Sequence, residues 1–340
     1  MHALSRRWII GLLAALLAAG SALLHAQDTV KIRLATLAPK GSTYHKALQE
    51  MGDKWRQAQG SGSTFTIYTD GTQGGEADVV RRMRVGQLNA ALLSGVGLSE
   101  IDPGVSALQY VPMLYRNWEE VDYAREKMRP LLEKRMLDKG FVVLFWGEGG
   151  WVQFFSKAPL KTPEEYKAAK IFAWAGDNAQ VDLMKNLGYR PVVLELSDIL
   201  PSLQTGMIDT VPAAPLWALV GQFDRTAPHM LRINWVPIVG AVVMTVKSLE
   251  AMSPAGRAAL MEAAAQAGET LRAHRNVRDD EIIQALEKRG LKVTHPTAEL
   301  ERAWQGLARR AWPQVRGTMV PAETFDRVER LLAEYRREKK

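Results

Sequence analysis

The sequence predicts an α/β protein of two similar lobes, each a sheet flanked by helices. Three observations predict it. The first is the stretch 170–215, KIFAWAGDNAQVDLMKNLGYRPVVLELSDILPSLQTGMIDTVPAAP. Apolar or β-branched bursts at 171–174, 191–194 and 208–211 alternate there with helical patterns at 178–187 and 197–205. Each helical pattern stops at a glycine, Gly188 or Gly206, the residue that a left-handed helix end favours. Strands alternating with helices at this spacing require a parallel sheet with right-handed crossovers. The second observation is an internal echo. Met83-Arg84-Val85-Gly86-Gln87-Leu88-Asn89 and Leu203-Gln204-Thr205-Gly206-Met207-Ile208-Asp209 both run helix end, glycine, apolar residue, Asn or Asp, strand. The third is a length of 340 residues, enough for two cores.

Taken in order, the chain opens with Arg6 and Arg7, an apolar run over 8–24, and His25-Ala26-Gln27. A basic start, a short apolar core and a small residue at the exit predict a signal peptide over 1–26, cut after Ala26. A membrane anchor is the weaker reading, because the run is short for a span and polar residues follow. Val30, Ile32 and Leu34 alternate with charged residues as a strand does. A helix opens near Ser42, a favoured N-cap. Its free N–H groups place Ser42, Thr43 and Tyr44 either at a ligand or in an ordinary cap. After a second strand at 65–67, Asp70-Gly71-Thr72-Gln73-Gly74-Gly75-Glu76 makes a tight turn into the next helix, with Gln73 as a candidate contact. It lacks the Gly-Lys-Ser/Thr of a phosphate loop.

Residues 118–137 read as helical, split at Pro130. The apolar run 141–146 is a buried strand. Gly147-Glu148-Gly149-Gly150 then predicts a crossing between lobes, and 151–156 a further strand. Thr162-Pro163-Glu164-Glu165 is a helix start with a capping box. Residues 233–246 form a long extended return. A helix from Ser253-Pro254 toward Lys288 is long enough to span both lobes. A short strand at 291–294 and helices near 297–312 and 322–337 finish the chain.

Composition excludes several functions. Hydrophobic content of 47% and charged content of 24% fit a soluble globular protein. Cysteine is absent, so there is no thiol nucleophile, disulfide or lipidation site. Loss of the two arginines in 1–26 takes the formal charge from +7 to +5. No basic stripe with interleaved aromatics points to nucleic acid. His45, His229, His274 and His295 are dispersed without zinc-ligand spacing, and no Gly-x-Ser-x-Gly elbow occurs. No cofactor motif is present, and the chain reads as a binder, not an enzyme.

Several ordered motifs then gain meaning together. They are Pro39-Lys40-Gly41-Ser42, Gly71-x-x-Gly74-Gly75-Glu76, the echo at Val85-Gly86-Gln87-Leu88-Asn89, and Tyr110-Val111-Pro112-Met113-Leu114-Tyr115. Further on come Pro159-Leu160-Lys161-Thr162-Pro163-Glu164-Glu165, Lys170-Ile171, Leu187-Gly188 with Pro191-Val192, the second echo, and Leu249-x-x-Met252-Ser253-Pro254. With these motifs, the sequence resembles the solute-binding proteins of TRAP transporters, the DctP family, over nearly the whole mature chain. The resemblance implies a two-lobed periplasmic-binding-protein fold that closes on a small organic solute and delivers it to membrane permease subunits. The first lobe would take 27–148 with a return over about 235–250. The second would take 149–234 with the C-terminal helices of about 255–340. Location in the periplasm follows.

The resemblance also implies a carboxylate-binding arginine after Lys170-Ile171, where this chain has Phe172. A second arginine of the family aligns with Trp151, and an asparagine expected near Asp209 falls among Pro212, Ala213 and Ala214. A guanidinium grips a carboxylate in two charge-assisted bonds that no aromatic ring can replace. Trp151, Phe172, Trp174, Pro212, Ala213 and Trp217 are therefore expected to line an apolar cleft that suits a neutral or hydrophobic solute, or a weakly held organic acid. Trp146 and Trp235, near the crossings, are poorer candidates. Lys40, Arg190 and Arg225 are the reserve cations for an anionic ligand. Hinges are expected at 147–150 and 234–240.

Overall fold

The computed structural model describes residues 29–60, 62–273 and 275–339. The expected signal peptide lies outside the described residues. Two mixed sheets are flanked by helices, as the alternation of strand and helix patterns requires. The chain enters with β1 (Lys31–Thr36), α1 (Thr43–Gln59), β2 (Thr64–Tyr68), α2 (Glu76–Arg84) and β3 (Ala90–Ser94). Then follow α3 (Trp118–Asp138), β4 (Phe141–Trp151) and β5 (Gln153–Ser156). The central stretch supplies β6 (Lys170–Trp174), α4 (Asn178–Asn186), β7 (Arg190–Leu194), α5 (Ile199–Thr205) and β8 (Thr210–Ala213). The remainder is β9 (His229–Leu231), β10 (Pro237–Thr245), α6 (Pro254–Ala273), α7 (Arg275–Lys288), β11 (Lys292–Thr294), α8 (Ala298–Val315) and α9 (Ala322–Glu338).

The first sheet has the order β2-β1-β3-β10-β4, the second β11-β9-β5-β8-β6-β7. Both contain the same unit. In β2-β1-β3 and in β7-β6-β8 the strands are parallel, and an antiparallel strand from elsewhere, β10 or β5, pairs beside the third. The echo has a matching physical role in each. Asn89 accepts the Arg33 N–H through Oδ1 at 2.9 Å and donates its own N–H to the Arg33 carbonyl at 2.9 Å. Asp209 does the same to Lys170, at 2.9 and 3.0 Å. A short side-chain oxygen satisfies a strand N–H that the neighbouring strand, only then beginning, leaves open. Gly206 closes α5 at φ +76°, which a Cβ would oppose.

Period-two alternation builds the cores. Val239, Ala241 and Val243 of β10 face the helices α3 and α9, while Val242 and Met244 face α1 and α6. In the second sheet Phe154 and Ile171 share one face with Trp304 of α8. Phe155 and Phe172 share the other with Ile283 and Leu286 of α7.

Three expectations fail here. Pro130 lies inside an unbroken α3. The helix loses one hydrogen bond there, and the buried stripe Val121, Met128, Leu132 and Met136 holds it against the sheet. Gly147–150 is not a crossing but part of β4, paired with β10. The chain crosses at Val152, whose N–H donates to the Val236 carbonyl (2.9 Å) and whose carbonyl accepts from Trp235 N–H (3.2 Å). Two extended segments thus pass side by side between the sheets. Finally, the C-terminal helices expected with the second lobe divide. Those at α6 and α9 pack on the first sheet, α7 on the second, and α8 runs from Trp304 on the second to Val315 on the first. His274, between α6 and α7, lies outside the described residues.

Candidate functional site

A cavity of about 520 Å³ lies between the two sheets, where the carboxyl ends of β1, β3, β6 and β8 converge. That is the crevice where parallel α/β sheets receive ligands. Phe172 and Trp174, two residues apart on β6, point to the same side and pack edge to face with ring centroids 4.9 Å apart. Pro212 and Ala213 reach the cavity from the end of β8, and Trp217 from the short helix Pro215–Val220 that follows. Tyr44 reaches it from the first turn of α1, its hydroxyl donating to the Glu148 carbonyl.

Four expected contacts stand elsewhere. Ser42 is an ordinary cap, accepting from His45 N–H at 3.2 Å. Thr43 is exposed, and Gln73 accepts from Arg82 at 3.2 Å; none of the three lines the cavity. Trp151 is buried in the first sheet's core, its ring 5.1 Å from that of Trp118. The glycines before it resemble a loop, yet β4 continues through them and carries Trp151 inward. Conversely, Trp235 lines the cavity, and so do Tyr110 and Trp304. Tyr110 sits within a motif that the sequence marks. Trp304 carries no local signal, because only α8 packing on the second sheet brings it there.

The cavity's charged groups are acidic. Among the described residues no Lys, Arg or His lines it, whereas Asp70, Glu76, Asp78, Asp177 and Glu195 do. Glu76 accepts from Ser94 N–H (2.7 Å), Ser94 Oγ (2.6 Å) and Gly97 N–H (2.8 Å). Burial nonetheless pushes its carboxyl above the ordinary value, overriding those bonds. Asp177 caps α4 by accepting from Gln180 N–H at 3.2 Å. Burial raises it too, and raises the Tyr110 phenol, with the Asp177 charge adding to the rise. Tyr110, packed against the first sheet's core, and Asp177, at the start of α4 on the second sheet, both line the cavity. No group of His, Cys, Asp and Glu among the described residues is arranged to hold a metal.

These shifts set a pH dependence. A carboxyl whose folded pKa is raised binds its proton more tightly folded than unfolded. Its relative contribution is greatest below the ordinary carboxylate range, falls as pH rises through that range toward the raised value, and is flat above. Urea unfolding of wild type and Asp177→Asn, from about pH 3.5 to 8, should show wild type losing stability relative to the variant as pH rises. A difference that grows the other way would contradict the burial of Asp177.

The DctP family model, described as bacterial extracellular solute-binding protein, family 7, matches residues 34–317. The 2,3-diketo-L-gulonate-binding periplasmic protein YiaO of Escherichia coli is 23% identical over 73% of this chain and 76% of its own. The C4-dicarboxylate-binding periplasmic protein DctP of Rhodobacter capsulatus is 21% identical over 64% of this chain and 67% of its own. A TRAP periplasmic solute-binding protein from Shewanella oneidensis, solved with bound succinate, superposes with a TM-score of 0.81 at 16% identity, covering 90% of this chain and 100% of that one. With two sheets, a cleft at their strand ends and a family match over residues 34–317, the chain belongs to the DctP family of bacterial extracellular solute-binding proteins, the solute-binding component of TRAP transport.

Proposed function

We propose that this protein captures a neutral or hydrophobic organic solute between its two sheets, in the periplasm, and delivers it to the membrane permease subunits of a TRAP transporter. The observation that carries this is the cavity lining: aromatic walls, five carboxylates and no cation among the described residues. An anionic ligand would meet like charge in a desolvated space, where an unpaired charge is costly. Phe172, where the family resemblance implies an arginine, offers a ring instead. The named relatives bind acids. An acid here would be held without the two-pronged cationic grip, or carried protonated. The two sheets act as lobes that close by flexing the paired segments at Val152 and Trp235-Val236. Solute touching both lobes favours the closed form by its differential affinity.

Calorimetry with n-octanol and with succinate tests the reading. Octanol should bind, and Trp174→Ala should weaken it roughly ten- to hundredfold, the value of a buried aromatic contact. Small-angle scattering on the same samples should report compaction. Tight succinate binding with no octanol binding would defeat the proposal.

A further inference from the structure

The cavity is not confined to the space between the sheets. Its lining includes Phe172 and Val211 on one face of the second sheet, and Phe154 and Ile171 on the other. A continuous sheet would keep those residues apart. The sheet is not continuous there. Strands β6 and β7 hold parallel register over five pairs, but β6 and β8 hold it only at Ile171↔Thr210. Beyond that pair the two strands run unbridged, and Pro212 in that stretch has no N–H with which to continue the ladder. Behind the opening stand Phe154, Tyr166, Met184, Trp304 and Leu307, from three helices and β5. The polar atoms of this wall are engaged away from the space. Trp304 Nε1 donates to the Lys161 carbonyl at 2.8 Å, and the Tyr166 hydroxyl to the Leu160 carbonyl at 3.4 Å.

We propose that this split in the second sheet opens an apolar annex that takes the hydrocarbon tail of an amphipathic ligand, whose small uncharged head stays in the cleft. The inference rests on the apolar-solute reading of the cleft and names the ligand class: a molecule with a linear alkyl chain, not a compact ring. The annex wall is apolar, so each added methylene that enters it leaves water without breaking any polar contact.

Calorimetry with n-alkanols of six, eight, ten and twelve carbons tests this on the mature chain. Affinity should rise roughly fourfold per methylene until the annex is full. Met184 is half-buried on α4 and flexible, so Met184→Trp fills the annex with little strain. It should lower dodecanol affinity about a hundredfold while hexanol changes less than about threefold; Met184→Leu should follow wild type. Circular dichroism melts report whether each variant folds. As a second readout, 12-bromododecanol should lose part of its quenching of tryptophan emission in Trp304→Phe, whereas 2-bromododecanol, whose bromine would lie beside Trp174 and Trp217 in the cleft, should keep its quenching. Affinity that stops rising at six carbons, or a dodecanol affinity untouched by a folded Met184→Trp, overturns the annex and leaves the cleft reading standing. Failure of every alkanol to bind, with succinate bound, overturns both.

Discussion

Arg125→Met is expected to destabilise the protein by about 3–5 kcal/mol, the usual cost of breaking a buried ion pair from one side. Arg125 on α3 and Glu148 on β4 pair directly, and each side chain is only 1% exposed. The same guanidinium reaches Asp122 at 2.8 Å and Glu126 at 3.2 Å, both toward the surface. Removing it takes a buried cation from beside a carboxylate that stays buried. Glu148 also carries the carbonyl that the Tyr44 hydroxyl donates to, so the pair sits directly behind the cleft wall. Arg125→Met combined with Glu148→Leu should recover most of the loss, because an apolar pair of similar volume removes the desolvation cost. Urea unfolding of the single and double variants reads both values. A single-variant loss under about 1 kcal/mol would show that the pair is solvated.

Trp304→Ala should cost about 3–5 kcal/mol. Trp304 is 2% exposed and stands at the centre of an aromatic cluster. It stacks on Phe154 at 5.1 Å and meets Tyr166 and Trp235 edge to face at 5.4 and 5.6 Å. Its indole N–H satisfies the Lys161 carbonyl. Truncation removes the packing and leaves that carbonyl without this donor. Trp304→Phe separates the two contributions, keeping most of the packing and costing about 1 kcal/mol for the lost hydrogen bond. Thermal and urea unfolding with matched m-values check this. Equal losses for both variants would mean that the hydrogen bond, not the ring, anchors α8. Since α8 begins on the second sheet and ends on the first, loosening Trp304 also loosens a contact between the two.

Local chemistry explains how much of this was legible. The run β6-α4-β7-α5-β8 announces itself through alternating bursts and helix-ending glycines, and the observed elements follow it closely. The echo proved to be a repeated hydrogen-bonding device at Asn89 and Asp209. Caps at Ser42 and Thr162 also formed as their residue types require. Illegible features depended on partners far along the chain. Gly147-Glu148-Gly149-Gly150 has a loop composition, but β10 pairs along it and makes it strand. Pro130 breaks an isolated helix but not one held by a buried stripe. Trp151 and Trp235 look alike in sequence, and the exact crossing point sends one into the core and the other to the cavity.

The sequence alone determined the alternation of strands and helices, the duplicated unit, the family resemblance and the aromatic and proline side chains after Lys170-Ile171 and Asp209. These are properties of short stretches, governed by backbone preferences and side-chain period. Tertiary structure alone decided which aromatics face the cavity, that carboxylates and no described cation line it, that burial raises Glu76 and Asp177, and that β6 and β8 part after a single pair. Each of those depends on what a distant segment places against a residue, and desolvation and packing arise only between segments that the chain brings together.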